Sequence, residues 1–175
     1  MSASYLTRPD AEFRDSYLEA LDEYHAAGQF LHLAPSAAGF EPFLQSRLSE
    51  NGTDHNPLPD WAEPVKETIL WLVKEQTYIG ECAIRHRINW HLEKWGGHYF
   101  YTIRPSMRGK GFGKKLMLKS IPVMNSFGIE RALITADPDN PASTHIIESC
   151  GGEFFEETPC TDQFPARRKY WLRTD

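Results

Sequence analysis

Apolar and polar positions in the first third of the chain alternate with the period of an α-helix. The apolar positions between residues 10 and 27 recur at steps of three and four, and they are Phe13, Tyr17, Leu18, Leu21 and Tyr24. Asp10 is placed to cap this helix and Gly28 to end it. A similar pattern predicts a shorter helix over residues 41–49, and the polar, proline-containing stretch 50–60 predicts a mobile loop.

Three segments rich in β-branched and aromatic residues follow, and they predict strands at residues 68–74, 78–88 and 97–103. The short turn between the first two favours an antiparallel hairpin. The stretch between the second and third is longer than a tight turn, so we interpret it as a short helical excursion ended by Gly96 and Gly97.

The second half of the chain mixes both periods. Helical spacing returns from Phe112 to Phe127, and Pro122 inside it predicts a kink or a break. The pattern then predicts, in chain order, a strand at 131–136, a helix at 141–150, and strands at 153–158 and 168–173. A strand–helix–strand unit needs a parallel crossover, whereas the earlier hairpin is antiparallel. We therefore expect an α/β (α+β) chain with a mixed sheet.

Composition excludes several classes of protein. Lys and Arg total 19 against 24 Asp and Glu, and the formal charge of −5 argues against general nucleic-acid binding. The longest apolar run, residues 69–73, is too short to cross a membrane, and the N-terminus lacks the pattern of a signal peptide. Cys82, Cys150 and Cys160 form no CxxC pair, which argues against a disulfide scaffold or a zinc site. We expect a cytoplasmic protein without a metal.

The sharpest local motif runs from Arg108 to Lys114 with the sequence RGKGFGK, between a predicted strand and a predicted helix. Its three glycines let successive backbone N–H groups point into one concavity, where the helix N-terminus favours an anion such as a pyrophosphate. A Walker A loop would need glycine at position 108, and a Rossmann fingerprint would need glycine or alanine at position 114, so both patterns fail. A tight turn with solvated lysines is the plain alternative.

The loop does fit the pattern Gln/Arg-x-x-Gly-x-Gly/Ala, which Arg108, Gly111 and Gly113 meet. In this it resembles the acyl-CoA loop of the GNAT superfamily of N-acetyltransferases. Downstream, Asn140 and Ser143 open a helix that ends in Cys-Gly-Gly-Glu-Phe, which is similar to the corresponding GNAT segment. Within the superfamily the chain looks like a subgroup of predicted acetyltransferases.

The resemblance covers residues 68–173 and implies the GNAT fold. That fold has a twisted, mixed and mostly antiparallel sheet of six to seven strands with about four helices, and its central parallel strands splay at the acyl-CoA site. The resemblance implies a single GNAT domain over residues 1–175. Within it we expect an N-terminal helical region at residues 1–50, the loop at 50–60, an acyl-CoA core at 68–152 and C-terminal strands at 153–173.

The resemblance also implies the chemistry. An acetyl group would pass from acetyl-CoA to the primary amine of a small molecule or peptide by direct attack, without a metal. The Tyr101 N–H would face the thioester oxygen, and Ile103 would pair with the pantetheine. The implied cofactor-binding residues are Tyr101, Ile103, Arg108, Gly109, Lys110, Gly111, Phe112, Gly113, Lys114, Asn140 and Ser143.

The general acid and base are less evident. Many GNAT proteins carry a tyrosine seven residues after the asparagine, where this chain has Ile147. Tyr170 or Ser143 would have to replace it, unless the thiolate leaves with water as the acid. His86 and His98, on the two central strands, are the candidate bases because histidine titrates near neutral pH. A strand histidine that is simply bonded to a neighbour is the alternative for each.

The acceptor site has several candidate residues. Arg85, His86 and Asn89 crowd the end of one predicted strand, and we interpret them as acceptor-binding residues. Glu81 is a third candidate base, acting through a chain of waters. An acidic rim in or near the expected acceptor elements favours a cationic amine, and its members are Asp54, Asp60, Glu156, Glu157 and Asp162.

Two other functions stay open on the sequence. A CoA-binding sensor without catalysis would explain the absent tyrosine, and a nucleotide-phosphate binder unrelated to GNAT proteins would explain the glycine loop alone. We expect no nucleic-acid or membrane partner. The resemblance implies a homodimer, with the last strand as the natural partner edge.

Overall fold

The structure is a computed structural model that describes residues 3–49 and 62–175. Its strands are β1 (Tyr5–Thr7), β2 (Glu67–Lys74), β3 (Thr77–Arg85), β4 (Tyr99–Ile103), β5 (Arg131–Ala136), β6 (Glu153–Thr158) and β7 (Arg167–Arg173). Its helices are α1 (Arg14–Ala26), α2 (Phe40–Leu48), α3 (Phe112–Ser126) and α4 (Pro141–Ser149), with 3₁₀ turns at Ala11–Phe13 and Pro105–Met107 and a π-helical turn at Leu92–Gly96. None of these helices is long and apolar enough to cross a membrane.

The strands form one sheet in the order β1-β2-β3-β4-β5-β7-β6. Every neighbouring pair is antiparallel except β4 and β5, which are parallel because α3 carries the chain back between them. The mixed, mostly antiparallel sheet confirms the predicted fold class, and the first predicted hairpin is the pair β2 and β3.

Alternate side chains of the central strands enter two apolar layers. On one face α1 and α2 cover β2 and β3, and Tyr17 of α1 stacks on Trp71 with 4.7 Å between ring centroids. On the other face α3 and α4 supply fully buried residues such as Leu116 and Ile147. Helices therefore cover both faces of the sheet at β2 and β3, and α3 and α4 continue over one face of β4 and β5.

Helix α3 continues through Pro122, so the predicted break at this proline is wrong. A proline in a helix leaves the carbonyl four residues earlier, here that of Leu118, without its N–H partner. Both residues lie on the exposed side of α3, where water can bond to that carbonyl instead.

The edges of the sheet also differ from the prediction. The last strand, β7, lies between β5 and β6, so it is not an edge. The outer strand at that side is β6, with mostly exposed residues. Strand β1, which pairs along β2, has only three residues and is too short to show a period in the sequence. The predicted loop at 50–60 lies outside the described residues.

Candidate active site

A gap opens in the sheet where β4 and β5 diverge. The two strands share a single pair of facing residues, Tyr99 and Ile134. Just after β4, the Arg104 N–H donates to the Ile79 carbonyl of β3 at 2.8 Å. Because successive residues of a strand direct their backbone groups to opposite sides, the N–H and C=O groups of Tyr101 and Ile103 face away from β3, into the gap.

A cavity of about 830 Å³, which we call the β4 cleft, runs along this free side of β4. Its lining also includes the glycine loop and residues along α4, from the cap Asn140 to Ser149. All but one of the residues predicted to bind acyl-CoA line it, namely Tyr101, Ile103, Arg108, Gly109, Gly111, Phe112, Gly113, Lys114, Asn140 and Ser143. The exception is Lys110, whose Nζ donates to the Ser106 carbonyl at 2.7 Å.

The glycines of the loop serve two purposes. Gly109 and Gly111 have φ of 72° and 78°, a left-handed conformation that other residues rarely adopt. Gly113 lets helices α3 and α4 approach each other, because a Cβ there would lie 2.7 Å from Cδ1 of Ile146 on α4. Helix α3 starts at Phe112 without a side-chain cap. The N–H groups of its first turn are thus left to bind an anion.

Helix α1 holds the start of the loop. Glu23 accepts hydrogen bonds from the Arg104 side chain at 2.7 Å and from the Ser106 N–H at 2.9 Å. Burial alone would raise the pKa of Glu23, but the hydrogen bonds from Ser106 and Arg104 hold that pKa below its usual value. The carboxylate is therefore charged at neutral pH and ties α1 to the turn that leads into the loop.

Arg108 joins the loop to the free side of β4. Its Nε donates to the Ile103 carbonyl at 2.9 Å, and its Nη2 donates to Gln29 at 2.5 Å. A carbonyl oxygen has two lone pairs, so a ligand N–H can still bond to Ile103 beside the guanidinium.

Tyr101 connects β4 to the start of α4. Its hydroxyl donates to Oγ of Ser143 at 3.1 Å, and the Ser143 N–H donates to the capping side chain of Asn140 at 3.0 Å. Burial raises the pKa of Tyr101, so this hydroxyl keeps its proton at neutral pH. The usual tyrosine position of the GNAT pattern, Ile147, is fully buried.

A second cavity of about 250 Å³, which we call the polar cavity, adjoins the β4 cleft. Phe100, Tyr101, Asn140 and Ser143 line both spaces, so the two meet at these residues. The polar cavity is also lined by ionisable side chains, which are Glu63, Glu67, Arg85, His91, Asp137 and Arg167.

Two loose ion pairs lie in this lining. Arg85 is 3.7 Å from Glu67, and Arg167 is 3.8 Å from Asp137, both too long for a hydrogen bond. Burial lowers the pKa of both arginines by more than the neighbouring carboxylates raise it. Arg85, a predicted acceptor-binding residue, also donates to the Gly96 carbonyl at 3.1 Å.

The two predicted histidine bases line neither cavity. His86 bonds to Thr68 at 2.8 Å and stacks on Phe127 near the end of α3, 4.2 Å between ring centroids. His98 accepts the Leu133 N–H on Nδ1 at 2.9 Å. Burial first, and then the charge of Arg85, lower the pKa of His98 to about 4. This histidine is therefore neutral and bonded to the backbone.

Three further predicted residues also lie outside both cavities. Tyr170 is fully buried, and its hydroxyl donates to Glu148 at 3.3 Å. Asn89 donates to the Glu63 carbonyl at 2.9 Å, and so holds the segment before β2. Glu81 is buried on the α2 side of the sheet, where it pairs with Arg47.

The predicted acidic rim is not assembled among the described residues. Glu156 pairs with Lys169 at 2.9 Å and Glu157 with Arg168 at 3.5 Å, along the edge strand β6. Neither glutamate lines the β4 cleft or the polar cavity, and the same holds for Asp162. Asp54 and Asp60 lie outside the described residues.

The sequence reasoning missed most of the polar cavity. Glu67, Asp137 and Arg167 come from three different strands or strand ends, and nothing in their spacing relates them. One available signal was Glu67, a carboxylate that begins a strand whose centre, residues 69–73, is apolar. Among residues 3–49 and 62–175 there is no group of three or more His, Cys, Asp or Glu side chains that could hold a metal ion.

Free backbone groups on a splayed strand, next to a glycine loop at a helix N-terminus, define a site for an extended phosphate-bearing ligand. The fold is shared with solved acetyltransferases. One is the putative acetyltransferase yncA from Salmonella typhimurium with acetyl-CoA, at 15% identity and a TM-score of 0.62, covering 99% of this chain and 95% of that chain. Another is the microcin self-immunity acetyltransferase MccE in complex with acetyl-CoA and AMP, at 14% identity and a TM-score of 0.68, covering 97% and 92%.

A third similar structure is a chimera of the spermidine N-acetyltransferase SpeG from Vibrio cholerae and hSSAT, at 16% identity and a TM-score of 0.60, covering 99% of this chain and 97% of that chain. The comparison with curated proteins gives no match. The family model described as "Acetyltransferase (GNAT) domain" matches residues 16–153. The chain therefore belongs to the GNAT acetyltransferase family, which confirms the resemblance drawn from the glycine loop and the asparagine downstream.

Proposed function

We propose that this protein transfers an acetyl group from acetyl-CoA to the primary amine of a small molecule or peptide. The observation that carries the proposal is the β4 cleft, in which the backbone groups of Tyr101 and Ile103 that face away from β3 lead to an uncapped helix N-terminus at the glycine loop. Two of the structures that share the fold were solved with acetyl-CoA, which supports the choice of donor.

The chain's own groups fit such a donor. The N–H groups from Gly109 to Lys114 would bind the pyrophosphate, with Lys114 as a nearby cation. The N–H of Ile103 and the second lone pair of its carbonyl, which already accepts from Arg108, would bind the pantetheine amides. The N–H of Tyr101 would face the thioester oxygen, where a backbone donor is typically worth about 10²–10³ in rate.

The reaction forms a carbon–nitrogen bond and breaks the carbon–sulfur bond of the thioester. The attacking amine loses a proton, and the departing thiolate gains one. We propose the hydroxyl pair of Tyr101 and Ser143 as the proton donor to the thiolate, because Tyr101 holds its proton and both residues line the β4 cleft. This pair would replace the tyrosine that the chain lacks at Ile147.

The amine would enter through the polar cavity, which meets the β4 cleft at Tyr101 and Ser143. The carboxylates of Glu63, Glu67 and Asp137 line that cavity and are the groups offered there to take up the ammonium proton. Holding the amine beside the thioester supplies most of the rate gain, since well-oriented reactants reach effective molarities of about 10⁵–10⁸ M.

We also propose that the protein is cytoplasmic. Cys82, Cys150 and Cys160 are free thiols, which suits the reducing cytoplasm.

We further propose that the protein forms a homodimer. The dimer would use β6 rather than the last strand, because Phe154 and Phe155 of β6 are 48% and 45% exposed at the sheet edge. Light scattering of the purified protein would reveal the dimer, and a monomer at all concentrations would contradict it.

Calorimetry with acetyl-CoA tests the proposed function. Gly111→Trp places an indole in the β4 cleft and should weaken acetyl-CoA binding at least about 100-fold. Gly128→Trp is the matched control, because Gly128 has φ of 77° against 78° at Gly111 and both have open space around a Cβ. We expect the two variants to strain the backbone equally, but only Gly111→Trp to lose acetyl-CoA binding.

Two outcomes would contradict the proposal. Failure of the folded wild-type protein to bind acetyl-CoA or CoA would remove the donor. Binding without acetyl transfer to any amine would favour a CoA-binding sensor instead.

A further inference from the structure

We propose that the acceptor is a small zwitterion, a primary amine that carries a carboxylate or phosphate a few bonds away, and that Arg167 and Arg85 in the polar cavity recognise this anion. The inference rests on the proposed function and names the acceptor class for the same site. It differs from the polycationic amine that the acidic residues of the sequence favoured.

The size of the cavity limits the acceptor. At about 250 Å³ the polar cavity is smaller than the pockets of about 300–1,000 Å³ that hold drug-sized ligands. Aromatic side chains form much of its wall, and they are Trp95, Tyr99, Phe100 and Tyr101. A molecule of about the size of an amino acid therefore fits better than a long polyamine.

The first charged wall comes from the paired strands β2 and β3. Glu67 and Arg85 face each other in the strand register, so both side chains lie on the same face of the sheet. Both side chains are largely buried, at 2% and 16% exposure, yet they stay 3.7 Å apart. Because Arg85 also donates to the carbonyls of Gly96 and Gly97, its position is fixed by the backbone rather than by the carboxylate.

The second charged wall comes from the end of β5 and the start of β7. Arg167 donates through Nε to the Trp95 carbonyl at 3.3 Å and through Nη1 to the Ala166 carbonyl at 2.8 Å. Its remaining nitrogen, Nη2, has no hydrogen-bond partner in the portion of the chain that the structure describes. Asp137 is 3.8 Å away and 56% exposed, so it neutralises Arg167 only in part.

A third donor belongs to the same wall. The indole Nε1 of Trp95 is buried and has no hydrogen-bond partner within residues 3–49 and 62–175. An unpaired buried donor is unfavourable, and the same holds for a buried cation with incomplete pairing. An oxyanion entering beside Trp95 and Arg167 would relieve both.

These charges decide between classes of amine. The lining contains carboxylates that suit an ammonium and two arginines that would repel a second positive charge. A polycation would bring extra cations against Arg85 and Arg167, whereas a neutral amine would leave both arginines loosely paired. A zwitterion satisfies both kinds of group at once, and the fork of arginine suits carboxylates and phosphates.

Matched pairs of acceptors test this inference through release of the CoA thiol and mass spectrometry of the acetylated product. L-amino acids are compared with their amides, aminoethyl phosphate with ethanolamine, and spermidine serves as the polycation. We expect at least one anionic amine to exceed its neutral partner by about tenfold or more in kcat/KM. The two pairs distinguish a carboxylate from a phosphate as the source of the anion.

Variants of neighbouring arginines assign the effect to the cavity. Arg167→Met should raise the KM of the anionic amine about tenfold or more and so abolish the preference for it over its neutral partner. Arg167→Lys should restore part of that preference. Arg168→Met is the matched control, because Arg168 loses the same charge but pairs with Glu157 outside the cavity.

Three results would overturn the inference. They are faster turnover of spermidine or of neutral amines than of every anionic amine, an equal effect of Arg167→Met and Arg168→Met, and acetyl-CoA binding without turnover of any anionic amine. The last would leave the donor site of the proposed function intact, whereas loss of acetyl-CoA binding by the wild-type protein would remove that site itself.

Discussion

The β4 cleft and the polar cavity meet at Tyr101 and Ser143, but they are built in opposite ways. The cleft comes mainly from one stretch of chain, residues 101–114, and its expected ligands are backbone groups. The polar cavity is assembled from β2, β3, β4, β5, β7 and the segments between them, and its expected ligands are side chains.

This contrast shows which kinds of site are visible in a sequence. A backbone site needs a particular chain conformation, so it leaves glycines at fixed spacing, as at Gly109 and Gly111. A side-chain site needs residues brought together by sheet register, so its members keep no spacing in the sequence. The following predictions separate the two sites by experiment, and the largest expected effect comes first.

Gly113→Leu should weaken acetyl-CoA binding at least about 100-fold. It should also lower the free energy of unfolding by about 1–3 kcal/mol. Its Cβ would lie 2.7 Å from Ile146, and the rest of the side chain would enter the β4 cleft. Calorimetry and urea unfolding measure the two effects. Gly113→Ala is the milder control, since only the flexible end of Ile146 must move; wild-type affinity in the leucine variant would contradict the assignment.

Tyr101→Phe should lower kcat about 10- to 100-fold and leave the Kd of acetyl-CoA unchanged, because it removes a proton donor but keeps the backbone N–H. Tyr170→Phe should leave kcat within about twofold, since its hydroxyl is buried against Glu148. Steady-state thiol release measures both. A larger loss of kcat in the Tyr170 variant would contradict the proposed pair and favour Tyr170, one of the acids that the sequence left open.

His98 should act on stability rather than on catalysis. Its pKa is about 4 in the folded chain against 6.5 as the ordinary value, so the unfolded chain takes up a proton first as the pH falls. Stability is therefore complete above about pH 6.5 and decreases toward pH 4, by about 1–2 kcal/mol between about pH 7.5 and pH 5 after allowance for solvent screening.

His98→Asn tests this, because the asparagine oxygen can accept the Leu133 N–H without titrating. Urea unfolding over the pH range should show a flatter profile in the variant than in the wild type. Parallel profiles, or a loss of kcat/KM of more than about tenfold in the variant, would point to a catalytic role instead.

Asp137→Asn should give the smallest effect, a rise of about three- to tenfold in the KM of the amine with no change in the Kd of acetyl-CoA. The carboxylate is 56% exposed, so its attraction for an ammonium is screened. Asp139→Asn is the matched control, since Asp139 is exposed and lines neither cavity. A change in acetyl-CoA affinity in Asp137→Asn would contradict the assignment of acetyl-CoA to the β4 cleft and of the amine to the polar cavity.

Much of the fold was predictable from local pattern. The helices at Arg14–Ala26 and Phe112–Ser126 bury one apolar face each, and their period is visible in the chain. Strand β1 was missed because three residues carry no period. The place of β7 inside the sheet was missed because strand order depends on how layers pack, and neighbouring elements in sequence do not determine it.

The candidate site divides along the same line. Tyr101, Ile103 and the loop glycines were predicted because the motif lies in one segment and its chemistry needs that backbone. His86 was predicted because it lies near the end of a central strand, but its side chain points to the α3 face, where it stacks on Phe127. Register alone decides such a direction, because a shift of one residue moves a side chain to the other face.

The family, the glycine loop and the order of helices and strands could all be obtained from the sequence, because they depend on local conformation and on apolar periodicity. That Glu67, Arg85, Asp137 and Arg167 share one cavity beside Tyr101 emerged only once the chain was folded. The physical reason is that sheet pairing and packing bring together residues about 100 positions apart in the sequence. The ionisation of their side chains also depends on burial, which a local sequence pattern does not predict.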